Sequence, residues 1–437
     1  MYLPTYHSVA ITEPIRDLPL PNRLVVPLLQ HEGGAADPIV KVGQLVAAGK
    51  VIGKASGSGA VCVHAPAAGR VMRISHVVTS YYVDAPAIEI EIKETGADHP
   101  SWRETGHPLP NDINGWADAA ERAGIVSGRP GPVGLGTQLR QATNHGPSDV
   151  IINGLPSEPL VISPSELLRR HTDVVAGIVA SLRKSLKASQ AWIAVDRGDR
   201  DLLNRCRQTV RGKNIRVSAL RNKYPQAAPV LLTWAVTGKE IPIGRQPEDI
   251  GCLVLEVEAL LALAEAVRSG RPMIDRVVNV TGPAVARPGL YRIPVGTRMA
   301  DVLRHVGLSR TVVQVIDGGP LTGRSLETLD AVVTKRTSAI LVLSHEHDHV
   351  PTPGPCIRCG FCQDSCPVSL DPLALLNAAE CGDDAATRAL HPGACLACGL
   401  CSYVCPAELP LARAATRLKQ RAIHMEKIGP IVRAEQV

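Results

Sequence analysis

The stretch CIRCGFCQDSCP at residues 356–367 decides the fold of the C-terminal part of the chain, and CLACGLCSYVCP repeats its spacing at residues 395–406. Each stretch places four cysteines as C-x2-C-x2-C-x3-C and ends in proline. Together the two stretches contain eight of the twelve cysteines of the chain. Two runs with identical spacing predict a module with two repeated metal-binding loops.

The spacing favours iron–sulfur clusters. Three cysteines, each three residues from the next, let one short loop bind three corners of a cube, and in two-cluster ferredoxins the fourth cysteine binds the other cube. The prediction is therefore two [4Fe–4S] clusters with crossed ligands. The first cluster is assigned to Cys356, Cys359, Cys362 and Cys405, and the second to Cys395, Cys398, Cys401 and Cys366. Backbone amides of the loops around Gly360 and Gly399 are expected to donate hydrogen bonds to the sulfurs.

Zinc and disulfides are the other common uses of paired cysteines. Structural zinc prefers two separated C-x2-C pairs, and disulfides need an oxidising compartment. Both patterns fit the two runs less well than iron–sulfur clusters do. The remaining cysteines are expected to be, for the most part, buried structural thiols: Cys62, Cys206, Cys252 and Cys381.

Length and composition indicate a modular globular protein. The chain has 437 residues, 45% of them hydrophobic and only 3% aromatic, with a net charge of +6. That length predicts three or four domains. Scattered basic residues and few aromatics argue against nucleic-acid binding. The longest apolar run, residues 258–267, is interrupted by glutamate and far shorter than the roughly 20 residues that a membrane span needs. The N-terminus does not resemble a secretory signal, so we expect a cytoplasmic protein.

Short β-strands and glycine turns characterise residues 38–74. The segment divides into two similar halves and resembles the barrel-sandwich fold of lipoyl and biotinyl carriers. Those carriers present a modified lysine at a hairpin tip, commonly beside Met or Asp. Lys54 has neither neighbour, so we expect a structural use of the fold.

The middle of the chain predicts a parallel sheet. An apolar strand begins at residue 148, a helical period covers 163–186 with Ser163 or Ser165 as N-cap, and a second strand covers 190–198. From residue 275 to 307 the pattern changes to a β-hairpin followed by a helix, and a final strand covers 338–343. These patterns indicate an α/β domain followed by a separate, smaller α+β unit.

The order of these modules resembles RnfC, the peripheral subunit of the Rnf membrane electron-transport complex. Several stretches support the resemblance: residues 31–52, 150–159, 223–242, 277–297, 316–323, 333–343 and 401–414. It implies a multidomain α/β and α+β protein. The expected segments are a barrel-sandwich hybrid domain (1–100), a complex-I-flavoprotein-like α/β domain (101–272), an SLBB β-grasp domain (273–345) and a two-cluster ferredoxin-like α-helical domain (346–437).

The resemblance also implies partners and a location. The expected partners are membrane subunits of an Rnf-type complex and a ferredoxin or flavoprotein redox partner. The expected location is peripheral, on the cytoplasmic face of the inner membrane. The family complex couples electron flow between ferredoxin and NADH to ion movement.

Three elements of the family's FMN and NADH site differ here. The Gly-rich loop lacks its Phe-Pro-Thr, because residues 131–146 retain only Gly134 and Gly136, and the single Phe of the chain is Phe361. The family's Asn-Gly-Ala-Glu-Cys-Glu-Pro reads NGLPSEP at residues 153–159. The family's Gly-x-Glu is replaced by QAAP at 226–229. We therefore expect FMN and NAD(H) binding to be lost. Any remaining pocket would be lined by Gly134, Gly136, Asn153 and Glu158.

The sequences of two further segments are each compatible with more than one structural role. The alternating histidines His345, His347 and His349 are typical of a metal site, but their position favours a solvated linker into the cluster domain. Residues 412–428 have a mixed helical face and indicate a solvated terminal helix, with docking to a membrane partner as the alternative.

Three functions remain open at this point. The first is an electron-transfer subunit that passes electrons through its two clusters and has no substrate chemistry of its own. The second is a complete FMN-containing NADH:ferredoxin oxidoreductase subunit. The third is a scaffold in which the clusters only stabilise the fold.

Overall fold

The structure is a computed structural model that describes residues 14–57, 59–93, 102–104, 106, 108–128, 131–146, 149–347 and 351–428. The chain divides into two compact units. The larger unit contains residues 2–240 and 247–348, and the smaller unit contains residues 241–246 and 349–437. Within the described residues, no helix is both long and apolar enough to cross a membrane.

Antiparallel sheets form the N-terminal part of the larger unit. One sheet has the order β2-β8-β7-β4 and the other β3-β5-β6. Gly43 and Gly49 adopt φ angles of 84° and 77° in the expected turns. The strands are β1 (Arg16–Asp17), β2 (Arg23–Pro27), β3 (Asp37–Pro38), β4 (Leu45–Val46), β5 (Val51–Lys54), β6 (Val63–His64), β7 (Gly69–Val77) and β8 (Ala85–Ile92). Strand β1 belongs to neither of these sheets. It pairs in parallel with residues 291–292 of the β-grasp sheet.

A parallel sheet of order β13-β12-β11-β14 follows, flanked by helices. Its core contains the apolar faces of these elements, with Ile152, Ile193 and Leu255 fully buried. The elements are α1 (Ile113–Arg122), β9 (Val126–Ser127), β10 (Val133–Gly134), α2 (Leu135–Thr143), β11 (Asp149–Asn153), α3 (Ser163–Arg170), α4 (Thr172–Leu186), β12 (Gln190–Asp196), α5 (Arg200–Thr209), β13 (Arg216–Leu220), α6 (Pro229–Thr237), β14 (Cys252–Glu256) and α7 (Val257–Ser269).

The helix predicted over residues 163–186 is two helices. It breaks at His171, whose φ of −126° and ψ of 29° lie outside the helical region. The predicted N-cap was also wrong, because Ile162 occupies that position without a side-chain cap, and Ser165 instead donates to the Ile162 carbonyl over 3.0 Å. The parallel strand–helix–strand arrangement itself is confirmed.

The α+β unit is a mixed sheet packed on one helix. Its order is β1-β16-β15-β19-β17-β18. The elements are β15 (Asp275–Thr281), β16 (Gly289–Pro294), α8 (Met299–Val306), β17 (Val312–Asp317), β18 (Arg324–Ser325) and β19 (Ala339–Ser344). The expected solvated linker begins as a 3-10 helix over His345–His347. His345 is exposed, and His349 lies outside the described residues.

The smaller unit is helical. Its helices are α9 (Phe361–Asp364), α10 (Pro372–Cys381), α11 (Asp384–Ala389), α12 (Leu400–Tyr403) and α13 (Leu411–Ile428). Helix α13 is not a solvated terminal helix, because Leu411, Ala415 and Leu418 are buried at 1%, 2% and 4% exposure. These residues pack with Leu375 and Leu376 of α10, and the apolar contact fixes the two helices against each other.

One buried lysine joins the three parts of the larger unit. Lys335 precedes β19, and its Nζ donates to the carbonyls of Cys62 over 3.1 Å and Gly124 over 2.6 Å. Its backbone N–H donates to Gln30 Oε1 over 2.9 Å. Burial lowers the pKa of Lys335 to about 7, because the charged form is poorly solvated there.

The depressed pKa of Lys335 predicts a specific dependence of stability on pH. Between pH ~7 and ~10.4 the unfolded chain retains a proton that the folded chain has released, so stability rises with pH over that window. The contribution should approach ~1.4 kcal/mol per pH unit. We expect Lys335→Met to remove this slope. Urea unfolding followed by tryptophan fluorescence measures it in the larger unit, which contains all four tryptophans. Equal slopes in the two proteins would contradict the assignment.

Candidate iron–sulfur and flavin sites

The two cysteine loops have the same backbone conformation. Arg358 and Ala397 follow the first cysteine of each run by two residues and have φ angles of 55° and 53°. Gly360 and Gly399 have φ angles of 78° and 79° and precede α9 and α12. Such left-handed residues let each loop curve tightly, which is what a loop that encloses a cluster from three sides requires.

Backbone amides donate to the cysteine sulfurs, as expected for these loops, but from other positions. Arg358 N lies 3.4 Å from Cys356 Sγ, Ala397 N lies 3.3 Å from Cys395 Sγ, and Leu370 N lies 3.3 Å from Cys366 Sγ. Gly360 and Gly399 instead provide the positive φ that begins each short helix. Burial raises the pKa of Cys395, and the Ala397 N–H group opposes this with a smaller effect.

Four cysteines from both runs line one cavity. Cys366 of the first run lies with Cys395, Cys398 and Cys401 of the second run around about 410 Å³ of empty space, part of it open to solvent. Apolar residues form its other walls: Leu370, Leu375, Leu400, Ala412 and Ala415. The structure thus brings together the residues that the crossed arrangement assigns to the second cluster.

The thiols of this cavity influence one another electrostatically. Burial, followed by the neighbouring Cys398 and Cys395, raises the pKa of Cys401 to about 12. Burial also raises the pKa of Cys395, to which Cys366 adds a smaller effect. A buried set of thiolates needs a positive partner, and iron provides one.

The cysteines assigned to the first cluster lie in a more open setting. Cys362 and Cys405 pack against the same apolar residues of α10 and α13, among them Leu376 and Leu411. Burial raises the pKa of Cys362, with smaller effects from Asp371 and from Cys405 across the two runs. Cys356 and Cys359 are exposed.

The described cysteines form neither a disulfide nor a site for a single metal ion. All twelve cysteines are free thiols. No group of three or more His, Cys, Asp or Glu side chains in the described part of the chain is placed to hold a single metal ion. The chemistry of the donors around the cavity, four thiols with amide N–H groups directed at their sulfurs, fits an iron–sulfur cluster.

The cysteines outside the two runs vary in exposure. Cys206 and Cys252 are buried, Cys62 is partly buried and Cys381 is exposed. Burial raises the pKa of Cys206 to about 11, which makes that thiol unreactive.

The four residues expected to line a remaining flavin pocket have other contacts. Asn153 Nδ2 donates to the Ala227 carbonyl over 2.9 Å, and its Oδ1 accepts from Leu155 N over 3.3 Å. Glu158 accepts hydrogen bonds from Leu321 N, Thr322 N and Thr322 Oγ1 at 2.9, 3.2 and 2.7 Å. Both polar side chains are therefore engaged with neighbouring loops.

Gly134 and Gly136 lie where two elements approach closely. A Cβ on Gly134 would meet Val61 Cγ2 at 2.9 Å, and one on Gly136 would meet the Ala117 carbonyl oxygen of α1 at 2.8 Å. Both glycines thus allow α2 to pack against its neighbours. Sequence reasoning could not detect this role, because the contacting residues are distant in sequence.

Family models match four parts of the chain. They are the RnfC barrel sandwich hybrid domain at residues 1–95, the Nuo51 FMN-binding domain at 122–265, the NQRA C-terminal domain at 277–328 and a 4Fe-4S dicluster domain at 355–409. These matches confirm the predicted fold class, from the barrel sandwich through the flavoprotein-like and SLBB domains to the two-cluster ferredoxin domain.

One solved structure resembles this chain in fold. It is a chain of the NAD+-reducing [NiFe]-hydrogenase in the H2-reduced state, with a TM-score of 0.52 and 17% identity. The match covers 74% of this chain and 62% of that chain.

Curated relatives, each named as the C subunit of an ion-translocating oxidoreductase complex, match most of the chain. The Rhodobacter capsulatus protein is 30% identical over 376 residues, which is 84% of this chain and 72% of that protein. The Edwardsiella ictaluri protein is 32% identical over 85% of this chain and 47% of its own length, and the Yersinia pestis protein is 31% identical over 83% and 59%. These matches confirm the resemblance noted in the sequence: the chain belongs to the RnfC family of ion-translocating oxidoreductase complexes.

Proposed function

We propose that the chain is an electron-transfer subunit of a membrane-associated, RnfC-type redox complex. The observation that carries the proposal is the cavity in which Cys366 lies with Cys395, Cys398 and Cys401. A [4Fe–4S] cluster bound there supplies one-electron transfer. In this proposal Cys356, Cys359, Cys362 and Cys405 hold the first cluster, and Cys395, Cys398, Cys401 and Cys366 hold the second.

The residues around the cysteines support this use. Amide N–H groups at Arg358, Ala397 and Leu370 donate to cysteine sulfurs, as such groups do around iron–sulfur clusters. Leu375 of α10 and Ala412 and Ala415 of α13 form an apolar wall of the second site. Lys419 of α13 donates to the Cys395 carbonyl over 2.6 Å and anchors the start of that loop.

The partners and location belong to the same proposal. The relatives' name describes a complex that translocates ions, so this chain would bind membrane subunits and stay peripheral, on the cytoplasmic face of the inner membrane. A ferredoxin or flavoprotein would exchange electrons with it.

A second function is a complete FMN-containing NADH:ferredoxin oxidoreductase subunit. The match of residues 122–265 to an FMN-binding domain favours it. It ranks below the first because Asn153 and Glu158 already bond neighbouring loops, and because the chain lacks the family's Phe-Pro-Thr, Gly-x-Glu and first Glu. The proposal therefore expects FMN and NAD(H) binding to be lost. A scaffold with clusters that only hold the fold is the third possibility.

Cofactor analysis of anaerobically purified protein separates the three functions. The relay predicts about eight irons and eight sulfides per chain, no released flavin, bleaching by dithionite and no response to NADH. Stoichiometric FMN with bleaching by NADH would replace the relay with the complete oxidoreductase. Clusters that resist reduction at physiological potentials would support the scaffold instead.

Removing one thiol tests the ligand sets. Cys362→Ser should lower the iron content from about eight to about four per chain, since one cluster loses a ligand while the other retains all of its own. Iron analysis and electron paramagnetic resonance of the reduced protein measure the loss. Cys381→Ser, an exposed thiol outside both runs, is the matched control and should retain all iron. Full occupancy of both clusters in Cys362→Ser would refute the assignment.

A further inference from the structure

The two cysteine loops share a backbone but differ at their surfaces. Ile357 and Phe361 of the first loop are 66% and 55% exposed. Leu400, which occupies the position of Phe361 in the second loop, is 1% exposed, and Leu396, at the position of Ile357, is half-buried. Because the two loops have the same conformation, the difference in exposure comes from the residues that surround them.

The residues around each loop explain why the apolar side chains of the first loop are more exposed than those of the second. Leu396 and Leu400 line the cavity of the second run, which α10 and α13 close from the side. Cys356 and Cys359 of the first loop are exposed, whereas Cys395 and Cys398 are half-buried. The first loop therefore presents its apolar side chains and two of its ligands outward together.

A charged residue completes this surface. Arg358 is exposed and corresponds to Ala397 in the second loop, with nearly the same φ angle. Arg358 has no acidic partner among the residues that the structure describes. We call Ile357, Arg358 and Phe361 the first-loop patch.

The composition of the first-loop patch is typical of an interface core. Aromatic side chains and arginine are enriched at the centre of protein interfaces, and adjacent exposed apolar side chains are disfavoured on a surface that meets only water. The only phenylalanine of the chain lies here. Because the loop carries cysteines assigned to a cluster, the partner that covers it would be within reach of electron exchange.

We propose that the first-loop patch docks a small acidic iron–sulfur protein of the ferredoxin type, whose cluster lies beneath an apolar surface with a carboxylate for Arg358. The inference rests on the proposed relay function and names the partner of its first site. One electron leaves the reduced centre of the partner, which is oxidised, and enters the first site, which is reduced. No bond forms or breaks and no proton is transferred.

A two-cluster bacterial ferredoxin, which is small and acidic, is the probe, and the test variant is Ile357→Ser with Phe361→Ser in the full chain. Calorimetry measures ferredoxin affinity, and stopped-flow absorbance compares bleaching by reduced ferredoxin with bleaching by reduced methyl viologen. We expect affinity to fall about tenfold, and the ferredoxin rate to fall far more than the viologen rate, since the viologen needs no docking surface. Iron content and the paramagnetic spectrum should be retained.

The matched control is Val83→Ser with Trp234→Ser, which removes side chains that are 78% and 57% exposed on the larger unit. It should bind ferredoxin like the unchanged chain. A second variant, Arg358→Glu, keeps the apolar side chains and should weaken binding most at low ionic strength.

The outcomes separate the two proposals. If the unchanged chain is not reduced by methyl viologen, the relay function itself fails. If it is reduced but does not bind ferredoxin, or if the patch variants bind and react like the control, only the docking proposal is overturned. Loss of iron in both patch variants would show that these side chains hold the loop rather than a partner, and would also overturn it.

Discussion

One constraint shapes the smaller unit: Cys366 of the first run lies in the same cavity as three cysteines of the second run. Cys366 lies in the cavity of the second run, and Cys405 influences Cys362 of the first. Under the proposed ligand sets neither run forms its site without the other, and the helices between and after them must hold the loops at a fixed distance. Helices α10 and α13 do this through Leu375, Leu411 and Leu418, whose burial stabilises the pair.

In the larger unit, Glu158, which the sequence led us to expect in a remaining flavin pocket, takes part in a contact between modules. Glu158 follows β11 of the parallel sheet, yet its carboxylate accepts three hydrogen bonds from Leu321 and Thr322 of the β-grasp unit. Lys335 similarly joins the β-grasp unit to the carbonyls of Cys62 and Gly124. Such buried polar contacts favour one arrangement of the modules, because breaking any of them leaves an unsatisfied group.

A further contact joins two of the segments in which the sequence departs from the family pattern. Asn153 bonds to the Ala227 carbonyl, in the segment where the family has Gly-x-Glu. Asn153, which this chain retains, thus contacts the segment at residues 226–229 in which the Gly-x-Glu is replaced. A fold can persist while the residues of a site change, and this is why fold similarity alone does not specify the reaction.

Local patterns in the sequence determined the repeated cysteine loops, the parallel strand–helix–strand order and the sequence of modules, because spacing and periodicity are properties of neighbouring residues. Four features depend on the tertiary structure alone. They are the helix break at His171, the packing of α13 on α10, and the hydrogen bonds that Lys335 and Glu158 form with distant loops. The same holds for Phe361 and Leu400, which occupy one position of the same motif and differ in exposure. Burial and hydrogen bonding depend on residues far apart in the chain, and no local pattern records which of them will meet.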